Sequence, residues 1–93
     1  MLKDLNSYAY ISTGTTTQVL TGPGVLVGIM VNTTAAGTIK VIDGTAGVTA
    51  NIATLKASIG EGWYGFGANG IAISAGIRIV TAAASDITVV YRT

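Results

Sequence analysis

Apolar and polar positions alternate along most of this chain in short runs, separated by glycine, asparagine and serine/threonine breaks. A period of two places alternate side chains on one face of a β-strand. In the last run Ile87, Val89 and Tyr91 share a face, opposed by Thr88, Val90 and Arg92. The run before it sets Ile77, Ile79 and Thr81 against Arg78, Val80 and Ala82. The longest sets Val25, Val27, Ile29 and Val31 against Leu26, Gly28, Met30 and Asn32. The pattern predicts strands over Tyr8–Ser12, Thr15–Thr21, Val25–Thr33, Thr38–Asp43, Asn51–Ser58, Glu61–Ala68, Ile71–Ser74, Ile77–Ala82 and Asp86–Arg92. Gly22-Pro23-Gly24 breaks the chain, because Pro fixes φ and Gly permits φ > 0. Asn69-Gly70 predicts a hairpin turn for the same reason. No helix is predicted: Ala82-Ala83-Ala84 favours one locally, but three residues cannot nucleate it.

Evenly spaced short strands predict an all-β fold. We expect a single β-sandwich, jelly-roll-like, of seven to nine short antiparallel strands over residues 8–93, with residues 1–7 as an N-terminal arm. After the core faces are assigned, Leu26, Met30, Ile42, Val80 and Val90 remain on outer strand faces. Either a partner covers them, with Leu2 and Leu5 of the arm, or neighbouring loops and isolated exposure account for them.

Composition narrows the chemistry. Ninety-three residues fit one domain with a modest core. Charged residues make up 10%, where about a quarter is usual. They stand singly, with a net charge of +1. Nucleic-acid binding draws on clustered Lys and Arg, so no nucleic-acid partner is expected. Little net charge opposes self-association, and a homo-oligomer, favoured as a trimer, is expected. No His and no Cys are present. That argues against zinc, disulfides, Cys nucleophiles and His bases, so neither enzyme activity nor a cofactor is expected. The start has no apolar secretory region, and the longest apolar stretch, Ile71–Ala84, is too short to span a bilayer. Synthesis in a cytoplasm without a signal peptide, and no membrane partner, are the expectations.

Several motifs dissolve on inspection. Gly65-Phe66-Gly67-Ala68-Asn69-Gly70 matches the dinucleotide fingerprint, but a strand pattern follows it where pyrophosphate binding needs a helix N-terminus. Asn32-Thr33-Thr34 is a glycosylation sequon on a chain expected to bypass that machinery. Asp43-Gly44 could lend an oxygen to calcium, but no second acid is near in sequence, and an Asp-Gly turn suits it better. A Ser-Lys pair would need a buried Lys, and a glycosidase two carboxylates across a cleft. Neither is recognisable. Trp63, Tyr64 and Phe66, with Tyr8 and Tyr10, could form a sugar-stacking platform, or fill the core or a subunit contact. On one strand Tyr64 and Phe66 share a face and Trp63 takes the other. A glycan site would use Trp63 beside Asn69 and Asp43.

The segment Thr21–Thr34 (TGPGVLVGIMVNTT), the segment Gly37–Thr45 (GTIKVIDGT) and the ending Asp86–Arg92 (DITVVYR) resemble small β-sandwich virion proteins of tailed bacteriophages. The likeness runs over residues 8–93. It implies a non-enzymatic structural part of the virion: a capsid decoration (cement) protein that stabilises the head by binding the major capsid protein at the capsid surface, or a head-fibre or tail component. In the second role it would be a glycan- or receptor-binding module.

Overall fold

The computed structural model describes residues 5–47 and 50–93. It contains nine strands: β1 (Ser7–Ile11), β2 (Thr16–Thr21), β3 (Gly24–Thr33), β4 (Ile39–Asp43), β5 (Ala50–Leu55), β6 (Gly62–Gly65), β7 (Ile71–Ile73), β8 (Gly76–Thr81) and β9 (Asp86–Arg92). Among the described residues there is no helix. All pairings are antiparallel. One sheet runs β1-β9-β3-β6, with β7 also on β3, and the other β2-β8-β4-β5.

The order follows from one long ribbon. β4 pairs β5, β3 pairs β6 and β7, β2 pairs β8, and β1 pairs β9. Each strand of the first half meets its mirror in the second. The ribbon winds so that successive rungs alternate between sheets, and β3·β9 and β4·β8 close the layers. This is the double Greek key of a jelly roll.

β6 and β7 count as one interrupted strand. They lie end to end along β3, opposite Gly28–Val31 and Gly24–Leu26. Asn69-Gly70 therefore does not turn a hairpin, correcting the sequence expectation. The segment between them makes an excursion from the sheet edge, and Phe66 N–H still reaches the Val27 carbonyl at 3.0 Å. Gly70 is required there. Its φ is +83°, and a Cβ would lie 2.6 Å from Val25 Cγ1 and 2.7 Å from the Leu26 carbonyl oxygen.

The core lies between the sheets. Ile11, Leu26, Ile29, Val31, Ile73, Ile87 and Val89 face Ile39, Val41, Ile77 and Ile79. Each such side chain contributes roughly 1.5–3 kcal/mol by leaving water. The alternation read from β8 and β9 holds, but in β3 it breaks. Against β9, Leu26 pairs Tyr91 and Gly28 pairs Val90, so Val27 is an extra residue. One inserted residue reverses the facing of everything before it. Leu26 thus turns into the core, fully buried, while Val25 and Val27 leave it.

That bulge takes Leu26 off the outer positions expected from the sequence, and the strand pairing divides the other four between the two sheets. Leu26 is core. Met30 and Val90 lie outside one sheet, Ile42 and Val80 outside the other. Ile42 is also only 7% exposed, between its cross-strand neighbours Arg78 and Asn51. Val80 and Val90 are half-buried. Ser7 already pairs with Tyr91, so the sheet begins inside the expected arm. Leu5 is exposed just before it, and Leu2 lies outside the described residues.

Candidate functional site

The outer faces of the two sheets differ in kind. On the β2-β8-β4-β5 sheet the outward positions include Thr16, Gln18, Lys40, Thr54 and Arg78. The β1-β9-β3-β6 sheet instead carries Tyr8, Tyr10, Met30 and Trp63. With Leu5 these are the large apolar side chains left exposed among the described residues.

Register sets them in rows. Tyr10, Thr88, Met30 and Trp63 line up across four strands, and Tyr8, Val90, Gly28 and Gly65 form the next row. Rings therefore stand over β1 and β6, with a low centre of Thr88 and Val90 between. Gly28 and Gly65 make room for the Trp63 indole. A Cβ on Gly28 would come within 2.6 Å of the ring's benzo carbons, and one on Gly65 within 3.0 Å of its nitrogen. The indole therefore lies over both glycines along the sheet surface, 49% exposed. Tyr64 and Phe66 point inward and pack against the core, as their shared face predicted. The Tyr64 hydroxyl donates to the Gly60 carbonyl.

The face ends in charge at both poles of β9. At one, the Asp86 carboxylate accepts from Thr33 Oγ1 at 2.8 Å and from Asn32 Nδ2 at 3.4 Å. The facing Tyr10 hydroxyl and these two donors hold its pKa below the ordinary carboxylate value, and Asp86 raises that of Tyr10. At the other pole Arg92 donates to the Asn69 carbonyl at 2.9 Å and to Asn6 Oδ1 at 3.4 Å.

Asp43 is not brought to this face. It ends β4 in the other sheet, and its carboxylate accepts the N–H groups of Ser74 (3.0 Å), Ala75 (2.9 Å) and Gly76 (3.4 Å) in the β7–β8 turn. These bonds, led by Ser74 and Ala75, hold its pKa below the ordinary value. Its oxygens are spent on the turn, so neither the calcium reading nor the glycan role gains support. Asn69 precedes Gly70, which packs on Val25 and Leu26, whereas Trp63 pairs with Met30 further along β3. Asp43 therefore does not join Trp63 and Asn69 in one site. The sequence missed Met30 and Trp63 as direct neighbours, because only the β3·β6 register joins them.

The described residues enclose no pocket and no cluster of three metal-ligating side chains. What the surface offers is an exposed aromatic face. The chain matches no known family, no curated protein and no solved structure at a significant level.

Proposed function

We propose that this protein is a non-enzymatic virion structural protein, a decoration (cement) protein that self-associates and strengthens a tailed-phage head by contact with the major capsid protein. The observation that carries the reading is the sidedness of the jelly roll. One sheet presents Tyr8, Tyr10, Met30 and Trp63 outward, while the other presents mainly polar side chains. Apolar surface gathered on one face of a small module marks a place of contact. Repeated over a lattice, modest contacts add through multivalency. Jelly rolls also serve lectins, so the architecture alone does not choose the role. The resemblance of Thr21–Thr34, Gly37–Thr45 and Asp86–Arg92 to small virion proteins supplies the choice.

The test is immunogold labelling of gradient-purified virions, with the chain quantified on DNA-filled heads. Label distributed over the heads is expected. Its absence from heads, or its restriction to tails or fibres, overturns the reading. One observation favours a second role in that event. The exposed Trp63 indole, lying along the sheet, has the geometry on which a pyranose ring stacks. Glycan binding lost in Trp63→Ala would establish that role.

A further inference from the structure

We infer that the aromatic face of the β1-β9-β3-β6 sheet is covered by the same face of a second copy of this chain, the two related by a two-fold axis lying between the sheets and perpendicular to the strands. This goes beyond the virion reading and does not depend on where the protein resides.

Charge selects the partner and the axis. The outward positions of β9 run Asp86, Thr88, Val90, Arg92. Among the described residues, Asp86 and Arg92 make hydrogen bonds only to uncharged groups. A two-fold axis perpendicular to β9 and level with Val89 sets Asp86 of each copy opposite Arg92 of the other. An axis along the strands would instead stack Asp86 on Asp86 and Arg92 on Arg92, a costly like-charge contact.

Shape agrees with that axis. It carries Met30 of one copy opposite Gly28 of the other, across which that copy's Trp63 indole lies, a thioether-on-ring contact. Trp63 comes opposite Gly65, Thr88 opposite Val90, and Tyr10 opposite Tyr8. Because each copy's indole also lies over its Gly65, Trp63 meets the other copy's ring, while Thr88 and Val90 are matched in size. Face-to-face sheets pack with strands within about 30° of alignment, which leaves this matching intact near the centre.

Area is sufficient for a reversible pair. At about 200 Å² for a large side chain, the exposed fractions of Tyr8, Tyr10, Trp63 and Met30 (73, 58, 49 and 43%) leave on the order of 450 Å² per copy. Two such faces, with the rim of Asn32, Thr88, Val90 and Arg92, pass the roughly 1,000 Å² that a specific interface needs. A single self-complementary face makes a closed two-fold pair. A three-fold ring needs two different patches per subunit, so the trimer favoured on sequence grounds is not the assembly this face builds.

Sedimentation equilibrium of the full chain at micromolar to millimolar concentration tests this. A reversible species of twice the 9.3 kDa chain mass is expected. Met30→Lys should leave it monomeric. Asp86→Arg and Arg92→Asp should each weaken the pair about tenfold or more, and the double exchange should restore it. Circular dichroism melts establish that each variant is folded. Should Asp86→Arg fail to fold, Arg92→Asp alone must still weaken the pair. A wild-type chain that stays monomeric at millimolar concentration overturns the inference, as does a dimer that Met30→Lys leaves intact. A dimer in which Arg92→Asp has no effect, or in which folded single variants are not rescued by the double exchange, overturns the axis. A monomer that binds glycans through Trp63 gives the face to a sugar instead. Dimers formed by a chain absent from virions would keep this inference and remove the decoration reading, and monomers found on heads would remove this inference and leave of the decoration reading its contact with the capsid.

Discussion

The Trp63 indole occupies the space a side chain on Gly28 would need, with its benzo carbons within 2.6–2.7 Å of where a Cβ would stand. The glycine thus decides where the tryptophan lies. Gly28→Ala should lift the ring and press on the Tyr64 carbonyl, 2.8 Å from the same point. We expect a shift of the tryptophan emission, the chain having one Trp, and a loss of about 1–3 kcal/mol in denaturant unfolding. Trp63→Ala should recover part of that loss, because it removes one of the two obstructions. Unchanged emission in Gly28→Ala would contradict the described stacking.

Leu26 and Met30 separate core from surface on one strand. Leu26 is fully buried, and Leu26→Ala should cost about 2–5 kcal/mol. Met30 is 43% exposed, and Met30→Ala should change monomer stability by under about 1 kcal/mol. Urea unfolding of both at low concentration checks the pair. Equal losses would mean that the bulge at Val27 is misplaced.

Asp43 gives the fold an acid-sensitive joint. Its folded-state pKa is depressed by the Ser74, Ala75 and Gly76 N–H groups. A depressed carboxylate adds stability that is fully present above its unfolded value, near 3.9, and is lost as pH falls through the folded value. Asp86, lowered by Tyr10, Thr33 and Asn32, acts in the same direction. The urea midpoint should therefore hold steady from neutrality to about pH 5 and drop below about pH 4. Asp43→Asn should be less stable than wild type at pH 7 and should show a smaller drop in acid. An equal drop in both proteins would assign the acid response elsewhere.

Thr81 ties the loop between β1 and β2 to the end of β8. Its buried hydroxyl accepts the Thr15 N–H at 3.1 Å and lies within hydrogen-bond reach of the Thr13 and Thr15 carbonyl oxygens. Thr81→Val keeps the shape and strands those partners. A loss of about 1–3 kcal/mol is expected, with faster amide exchange at Thr15 than at core residues such as Ile79. Wild-type stability in this variant would show that the hydroxyl is dispensable.

Much of this architecture was legible in the residues, for a physical reason. Strands with one buried face write their period into the sequence, so β8 and β9 could be assigned face by face, and Trp63 could be set against Tyr64 and Phe66. Register could not be read the same way. Val27 looks like any other valine in an alternating run, and only its position opposite the step from Tyr91 to Val90 makes it a bulge. Asn69-Gly70 has the residues of a hairpin, yet its flanking strands share a partner in β3 and do not pair with each other. Asp43 carries a turn signal, but the N–H groups it accepts lie on a segment far along the chain. The aromatic face joins four strands drawn from both ends and the middle of the sequence, so no local pattern could announce it.

The mirror pairing of the ribbon also bears on how the chain reaches its fold. The first rung, β4 with β5, spans only the short reach from Asp43 to Ala50, whereas the last joins Ser7 to Tyr91. Each rung shortens the loop that the next must close, so entropy favours zipping outward from the β4–β5 hairpin. β1 and β9 are the partners with the longest closure, and β9 supplies the centre of the aromatic face. Until that last rung forms, Tyr8 and Tyr10 are not aligned with Met30 and Trp63, and the surface proposed for self-association does not yet exist. A chain built this way completes its fold before the aromatic face is open to any partner.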